Sequence, residues 1–145
     1  MESKKIIIYC DGGSRGNPGE SASAFVVEKN GKNIYFDAKY LGIATNNFAE
    51  YSAVLSALKW LNKMKLDQKS KKNIDEEIIF ILDSELVVKQ INGEYKVKNQ
   101  KLKNIYLEIK NILENLPQNI IFKSVRREIN TKADFLVNQK LDSLV

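Results

Sequence analysis

The run Ile78-Ile79-Phe80-Ile81-Leu82 is apolar at every position and stops at Asp83. A strand with one wet face alternates apolar and polar residues, so an unbroken run belongs to a central strand covered on both sides. Such a strand needs a sheet with helices on its two faces. The rest of the chain supplies the parts. Residues 4–11 hold the β-branched triplet Ile6-Ile7-Ile8 and read as a strand, and residues 12–19 are dense in turn formers. Residues 23–28 and 33–41 read as two more strands, joined by a tight turn at Asn30-Gly31. This succession predicts an antiparallel meander.

From Thr45 the period turns helical, with Phe48, Tyr51, Val54, Leu55, Leu58 and Leu61 along one side, fading near Met64. Residues 67–77 form a charged connector. Ser84 is placed to cap a short helix through Ile91 that stops at Gly93. Asn99 is placed to cap a longer helix whose apolar side holds Leu102, Ile105, Tyr106, Ile109, Ile112, Leu113 and Leu116, with Pro117 just past its end. Residues 120–125 read as a fifth strand, and Thr131 opens a last helix. The order βββαβααβα predicts an α/β protein with one mixed sheet and helices packed on its faces. With no internal repeat and no linker, residues 1–145 are expected to form a single domain.

Composition narrows the setting. At 43% hydrophobic and 28% charged, with seven Gly and two Pro, the chain can bury a core and is neither disordered nor fibrous. No apolar run approaches the roughly 20 residues that cross a bilayer, so no membrane partner is expected. The opening residues hold too short an apolar stretch for a signal peptide. Cys10, the lone cysteine, has no partner for an internal disulfide. The expectation is a soluble, cytoplasmic chain. A net charge of +5, from 23 basic and 18 acidic residues, suits a polyanionic partner without requiring one.

The sequence contains no histidine. That removes His-based triads, zinc–His sites and the usual general base, and it leaves the lone Cys a poor thiol nucleophile. Carboxylates, lysines and metal ions must carry any chemistry. Four acids stand out. Asp11 and Asp83 each end an apolar strand, where a carboxylate is costly unless a cation compensates it. At roughly 100° per residue, Glu50 lies about 20° from Leu61 on its helix, and Asp134 about 20° from Leu141 on the last one. Both therefore point toward the sheet. Turn formation and helix capping offer a plainer account, since Asn47-x-x-Glu50 and Thr131-x-x-Asp134 have capping-box spacing. Capping explains one such acid well and four converging acids badly. Four carboxylates in a small volume need hard divalent cations, and an all-oxygen site selects Mg²⁺ or Mn²⁺. Two such ions suit phosphodiester hydrolysis.

The segments YCDGGSRGNPG around Asp11, ATNNFAEY around Glu50, ILDSELVVKQI around Asp83 and VRREINTKADFLVN around Asp134 together resemble ribonuclease H of type 1, over nearly the whole chain. The resemblance implies the ribonuclease H-like fold: a five-stranded mixed sheet whose first three strands are antiparallel, with helices on both faces. It also implies an endonuclease that hydrolyses the RNA strand of an RNA/DNA hybrid with two Mg²⁺ ions, Mn²⁺ substituting, and leaves 3′-OH and 5′-phosphate ends. Asp11, Glu50, Asp83 and Asp134 are then the catalytic, metal-binding acids, with Asp11 bridging both ions, Asp83 and Glu50 serving one, and Asp134 the other.

Substrate contacts implied in the same way are Gly12, Gly13, Ser14, Asn17, Thr45, Asn46, Asn47, Ser84, Lys98, Arg127 and Asn130. Gly12 and Gly13 are expected to let backbone approach the RNA closely, and residues 45–47 to hold a phosphate and read a 2′-OH. The loop before the last acid departs from the family pattern. Where many members carry a His, this chain has Arg126-Arg127-Glu128-Ile129-Asn130, which resembles the archaeal and plant-like branch. The long basic handle of some members is also missing, and residues 93–103, with Lys96, Lys98, Lys101 and Lys103 around Tyr95, are its short counterpart. Trp60 and Cys10 read as core or near-core residues, without function. A monomer is expected. The alternatives are a relaxed nuclease that also cuts double-stranded RNA and a catalytically inactive nucleic-acid-binding module.

Overall fold

The computed structural model describes residues 5–67, 76–116 and 119–144. Strands β1 (Lys5–Arg15), β2 (Gly19–Lys29) and β3 (Lys32–Ala44) lead into helix α1 (Asn46–Asp67). Strand β4 (Glu77–Leu82), helices α2 (Glu85–Ile91) and α3 (Gln100–Glu114), and strand β5 (Asn119–Ser124) follow. A 3-10 turn at Arg127–Ile129 precedes helix α4 (Thr131–Asp142). The sheet runs β3-β2-β1-β4-β5, with the first three strands antiparallel, β4 parallel to β1 and β5 parallel to β4.

The first three strands are longer than their apolar cores announce. β1 continues through Gly12, Gly13, Ser14 and Arg15, each paired with β2, so the expected eight-residue turn shrinks to residues 16–18. Cross-strand pairing overrides turn propensity there. The β2–β3 turn is as expected, with both Asn30 (φ 53°) and Gly31 (φ 77°) in the left-handed region that a tight hairpin needs. The Ser84 cap accepts from Val87 N and the Asn99 cap from Leu102 N, both as read from sequence. Most of the charged connector and Pro117 lie outside the described residues.

Helix α1 covers one face of the sheet with α3 packed beside it, and α4 covers the other, over β1–β3. Ile6, Ile8 and Cys10 point to the α1 side, joining Tyr51, Leu58, Phe80 and Ile109 in the main core. Ala22 and Ala24 face α4 and meet Val137 and Leu141 in a smaller one. Short side chains there let the helix approach closely. The β4 run is buried along its length apart from Ile81, which is half-buried. Trp60 is half-buried and stacks on Tyr35 at 5.1 Å between centroids.

Candidate active site

The sheet opens where its pairing changes. β1 and β4 stay in register up to Tyr9 opposite Ile81, after which β1 continues along β2 while β4 gives way to the turn into α2. Two residues beyond that last pair stand Asp11 and Asp83, side by side at the fork. Crevices of this kind, at strand carboxyl ends where neighbouring chains diverge, are where open α/β sheets place ligands.

Glu50 joins them from α1 because of a glycine. A Cβ at Gly12 would lie 2.1 Å from the Ala49 carbonyl carbon and 2.4 Å from Glu50 N, so any side chain would push strand and helix apart. With none, Glu50 Oε1 accepts from Gly12 N at 3.2 Å. The sequence reading missed this role of Gly12: the close approach it permits here is to α1. Gly13 is different, since a Cβ there meets only Val137, at 3.5 Å. The capping box that spacing offered at Asn47 as the plainer account does not form. Thr45 caps α1 by accepting from Phe48 N at 3.2 Å, which leaves Glu50 free to face the strand.

Carboxylate oxygens of Asp11, Glu50 and Asp83 lie within 4.8 Å of one another. All three acids titrate high. Burial is the main cause for Asp11, with the charges of Asp83 and Asp134 adding to it, and its pKa rises to about 7. Glu50 is pushed well above the usual carboxylate range by burial and by the charge and hydrogen bond of Asp11, so the two acids titrate as a pair. Burial raises Asp83 too, against the opposing pull of Arg127 and the Asn130 amide. Glu50 Oε2 and Asp83 Oδ2 are buried without a hydrogen-bond partner among the described residues. Orphaned carboxylate oxygens at one point are a donor set for a hard cation.

Asp134 stands apart from this trio. It is half-buried in the first turn of α4 and lines, with the trio, a cleft of about 610 Å³. The same cleft is lined by Gly12, Gly13, Ser14, Asn46, Asn47, Ser84 and Arg127. Arg127 Nε lies 4.0 Å from Asp83 Oδ2, its side chain otherwise exposed. Arg15 and Asn138, outside the expected set, also line it, and Arg15 is tied to Asp142 at 2.7 Å. Sequence spacing carries no sign of either, because nothing in the turn-rich stretch announces that β1 extends so far.

Four expected contacts fall elsewhere. Asn17 lies outside the lining; its Oδ1 accepts from Asn46 N at 2.9 Å, while Asn46 Oδ1 accepts from Ser14 N at 2.9 Å, latching the β1–β2 turn onto the start of α1. Thr45 is occupied as the cap, and Lys98 is exposed beyond the cleft. Asn130 is fully buried and donates to the Cys10 carbonyl at 2.7 Å. Its place is beneath the acids, where it holds the backbone beside Asp11, and the expectation of a direct substrate contact is corrected accordingly.

With this geometry in hand, known proteins sharpen the picture. The reverse transcriptase-like family matches residues 9–140. A ribonuclease H1 solved in complex with RNA/DNA hybrid is 37% identical and superposes with a TM-score of 0.86, covering 96% of this chain and 98% of that one. This chain belongs to the reverse transcriptase-like family, on its type 1 ribonuclease H branch. Ribonuclease HI of Halobacterium salinarum is 32% identical over 139 residues, 95% of this chain and 65% of that protein. A bifunctional protein of Mycobacterium tuberculosis is 34% identical over 141 residues, 96% of this chain but only 36% of its own length. The chain thus spans about a third of that relative. No helix among the described residues is long and apolar enough to cross a membrane.

Proposed function

We propose that this chain is an endoribonuclease that hydrolyses the RNA strand of RNA/DNA hybrids, leaving 3′-OH and 5′-phosphate ends. The observation that carries the reading is the trio of buried carboxylates at the fork of the sheet, with two orphaned oxygens, in a chain like a ribonuclease H1 solved on such a hybrid. The donor set is all oxygen, which fits two Mg²⁺ ions, or Mn²⁺ in their place, rather than zinc. Asp11, Glu50 and Asp83 would hold them from the floor and Asp134 from the α4 wall. Bound there, the cations would supply the positive charge that ionises an attacking water and stabilises the departing oxygen.

The chain's own residues do the rest. Asn46, Asn47 and Ser14 offer amide and hydroxyl groups at the start of α1, suited to a phosphate and a ribose hydroxyl. Arg127 reaches over Asp83 in the loop where many relatives carry a His, placed to meet phosphate charge. Residues 1–145 act as one catalytic domain, and the buried, unpaired Cys10 suits a reducing cytoplasm.

The test is cleavage of one labelled sequence as RNA/DNA hybrid, RNA duplex, single-stranded RNA and DNA duplex, in Mg²⁺ and then Mn²⁺, with Asp11→Asn as control. Cutting of the hybrid's RNA strand alone is expected. Equal cutting of duplex RNA would replace the reading with a relaxed nuclease, and binding without cleavage would leave an inactive module.

A further inference from the structure

A buried polar chain runs from the catalytic helix to the lysine-bearing segment. Tyr51, next to Glu50 on α1, donates its hydroxyl to Gln90 Oε1 at 2.5 Å. Gln90 Nε2 then donates to the Lys96 carbonyl at 3.3 Å. Tyr51 is fully buried and Gln90 is 8% exposed, so neither group has water as a substitute partner. The Lys96 carbonyl, which can only accept, fixes the amide's orientation: the NH₂ faces Lys96, and Oε1 is left to accept from Tyr51.

Residues 92–99 need such a fixture. They form no helix or strand, and all are exposed but Val97, which is half-buried. Glu94 N and Tyr95 N bond to the Lys89 carbonyl, and Lys89 Nζ sits 5.2 Å over the Tyr95 ring. These contacts hold the near end, and the Asn99 cap holds the far end. Between them, Gln90 supplies the tether at Lys96. Lys96 and Lys98 make no ion pair among the described residues, so their charges are free for an anionic partner.

We infer that Tyr51 and Gln90 are positioning residues that fix Lys96 and Lys98 relative to Glu50, so that grip on the substrate backbone is set in register with the acids. The inference rests on the hybrid-cleaving reading above. Its chemistry is one of pose: the pair touches no reacting atom, and loss of either should weaken grip and leave turnover intact.

The experiment measures kcat and KM on an RNA/DNA hybrid between 50 and 200 mM salt, for the unaltered chain, Gln90→Leu, Tyr51→Phe, Lys96→Ala/Lys98→Ala and the Gln90→Leu combination with both lysine changes. Gln90→Leu should raise KM several-fold and hold kcat within about twofold. Its log–log salt dependence of kcat/KM should be shallower by up to about 2 units, near 0.9 for each phosphate no longer neutralised. The combined variant should be no worse than the lysine pair alone, since all three changes act through the same grip. Amides of residues 96–99 should exchange with solvent faster in Gln90→Leu and Tyr51→Phe alike.

A folded Gln90→Leu with unaltered KM and salt slope overturns the inference, as does an additive combined effect. If Gln90→Leu fails to fold, Tyr51→Phe, which keeps the ring in the core, decides by the same readings. An unaltered chain that leaves the hybrid uncut refutes the functional reading instead.

Discussion

Asp11 is the residue where stability and activity pull hardest against each other. Its pKa near 7 means that, without metal, the folded chain prefers it protonated, whereas the unfolded chain ionises it near 3.8. A raised acid costs nothing below the unfolded value and its full penalty above the folded one, so the metal-free fold loses stability as pH climbs from about 4 to 7. Asp11→Asn removes that penalty. In chelator, its stability gain should be on the order of 2–4 kcal/mol at pH 8 and fade toward pH 4, read by denaturant unfolding at a series of pH values. Turnover should vanish in the same variant, and in Glu50→Gln and Asp83→Asn. Asp134→Asn should lose less, because that side chain lies outside the buried trio; equal losses at all four positions would contradict this. Much of this is legible in the sequence, because an acid that ends an apolar strand violates the pattern around it. The burial of Asn130 is not legible there, since one polar residue in a polar loop breaks no pattern.

Among the elements, the joint between β1 and α1 governs the site, and it is the part least visible in the sequence. Gly12 and Gly13 look alike in a glycine-rich stretch, yet only the first is pressed against helix backbone. Gly12→Ala should cost about 3 kcal/mol or more and depress activity, while Gly13→Ala should fold normally; thermal unfolding of the two side by side checks this. The latch of Ser14, Asn46 and Asn17 holds the same joint from outside. Asn46→Ala removes one of its two bonds and should cost about 1 kcal/mol, with a larger effect on KM than on kcat. Helices with a cap and an apolar stripe declare themselves from spacing alone. The strand ends do not, because pairing partners distant in sequence decide how far a strand runs.

For the molecule as a whole, the like charges at the fork make the fold respond to cations. On the proposed function, each Mg²⁺ held by the folded chain and not by the unfolded one should, at about 100 times its dissociation constant, stabilise by about 2.7 kcal/mol. A calorimetric midpoint that rises with Mg²⁺ in the unaltered chain, and stays fixed in an Asp11→Asn/Asp83→Asn double variant, would show the ions bound at this site. A rise of the same size in both would place them elsewhere. The central place of β4 and the antiparallel meander are legible in the unbroken apolar run and the early turns, whereas the order of β4 and β5 beside β1 and the convergence of Glu50 on Asp11 depend on contacts that no periodicity reports.

The contact at Gly12 has one more consequence. Where strand meets helix with no side chain between them, the gap separating two of the acids is set by main chain against main chain. Interior residues such as Ile8, Leu58 or Val54 can then be exchanged for others over generations, shifting how firmly the molecule stands, while the reaction centre keeps its dimensions. Descendants of such a chain can drift far apart in their interiors and still share one gauge at the point of cutting.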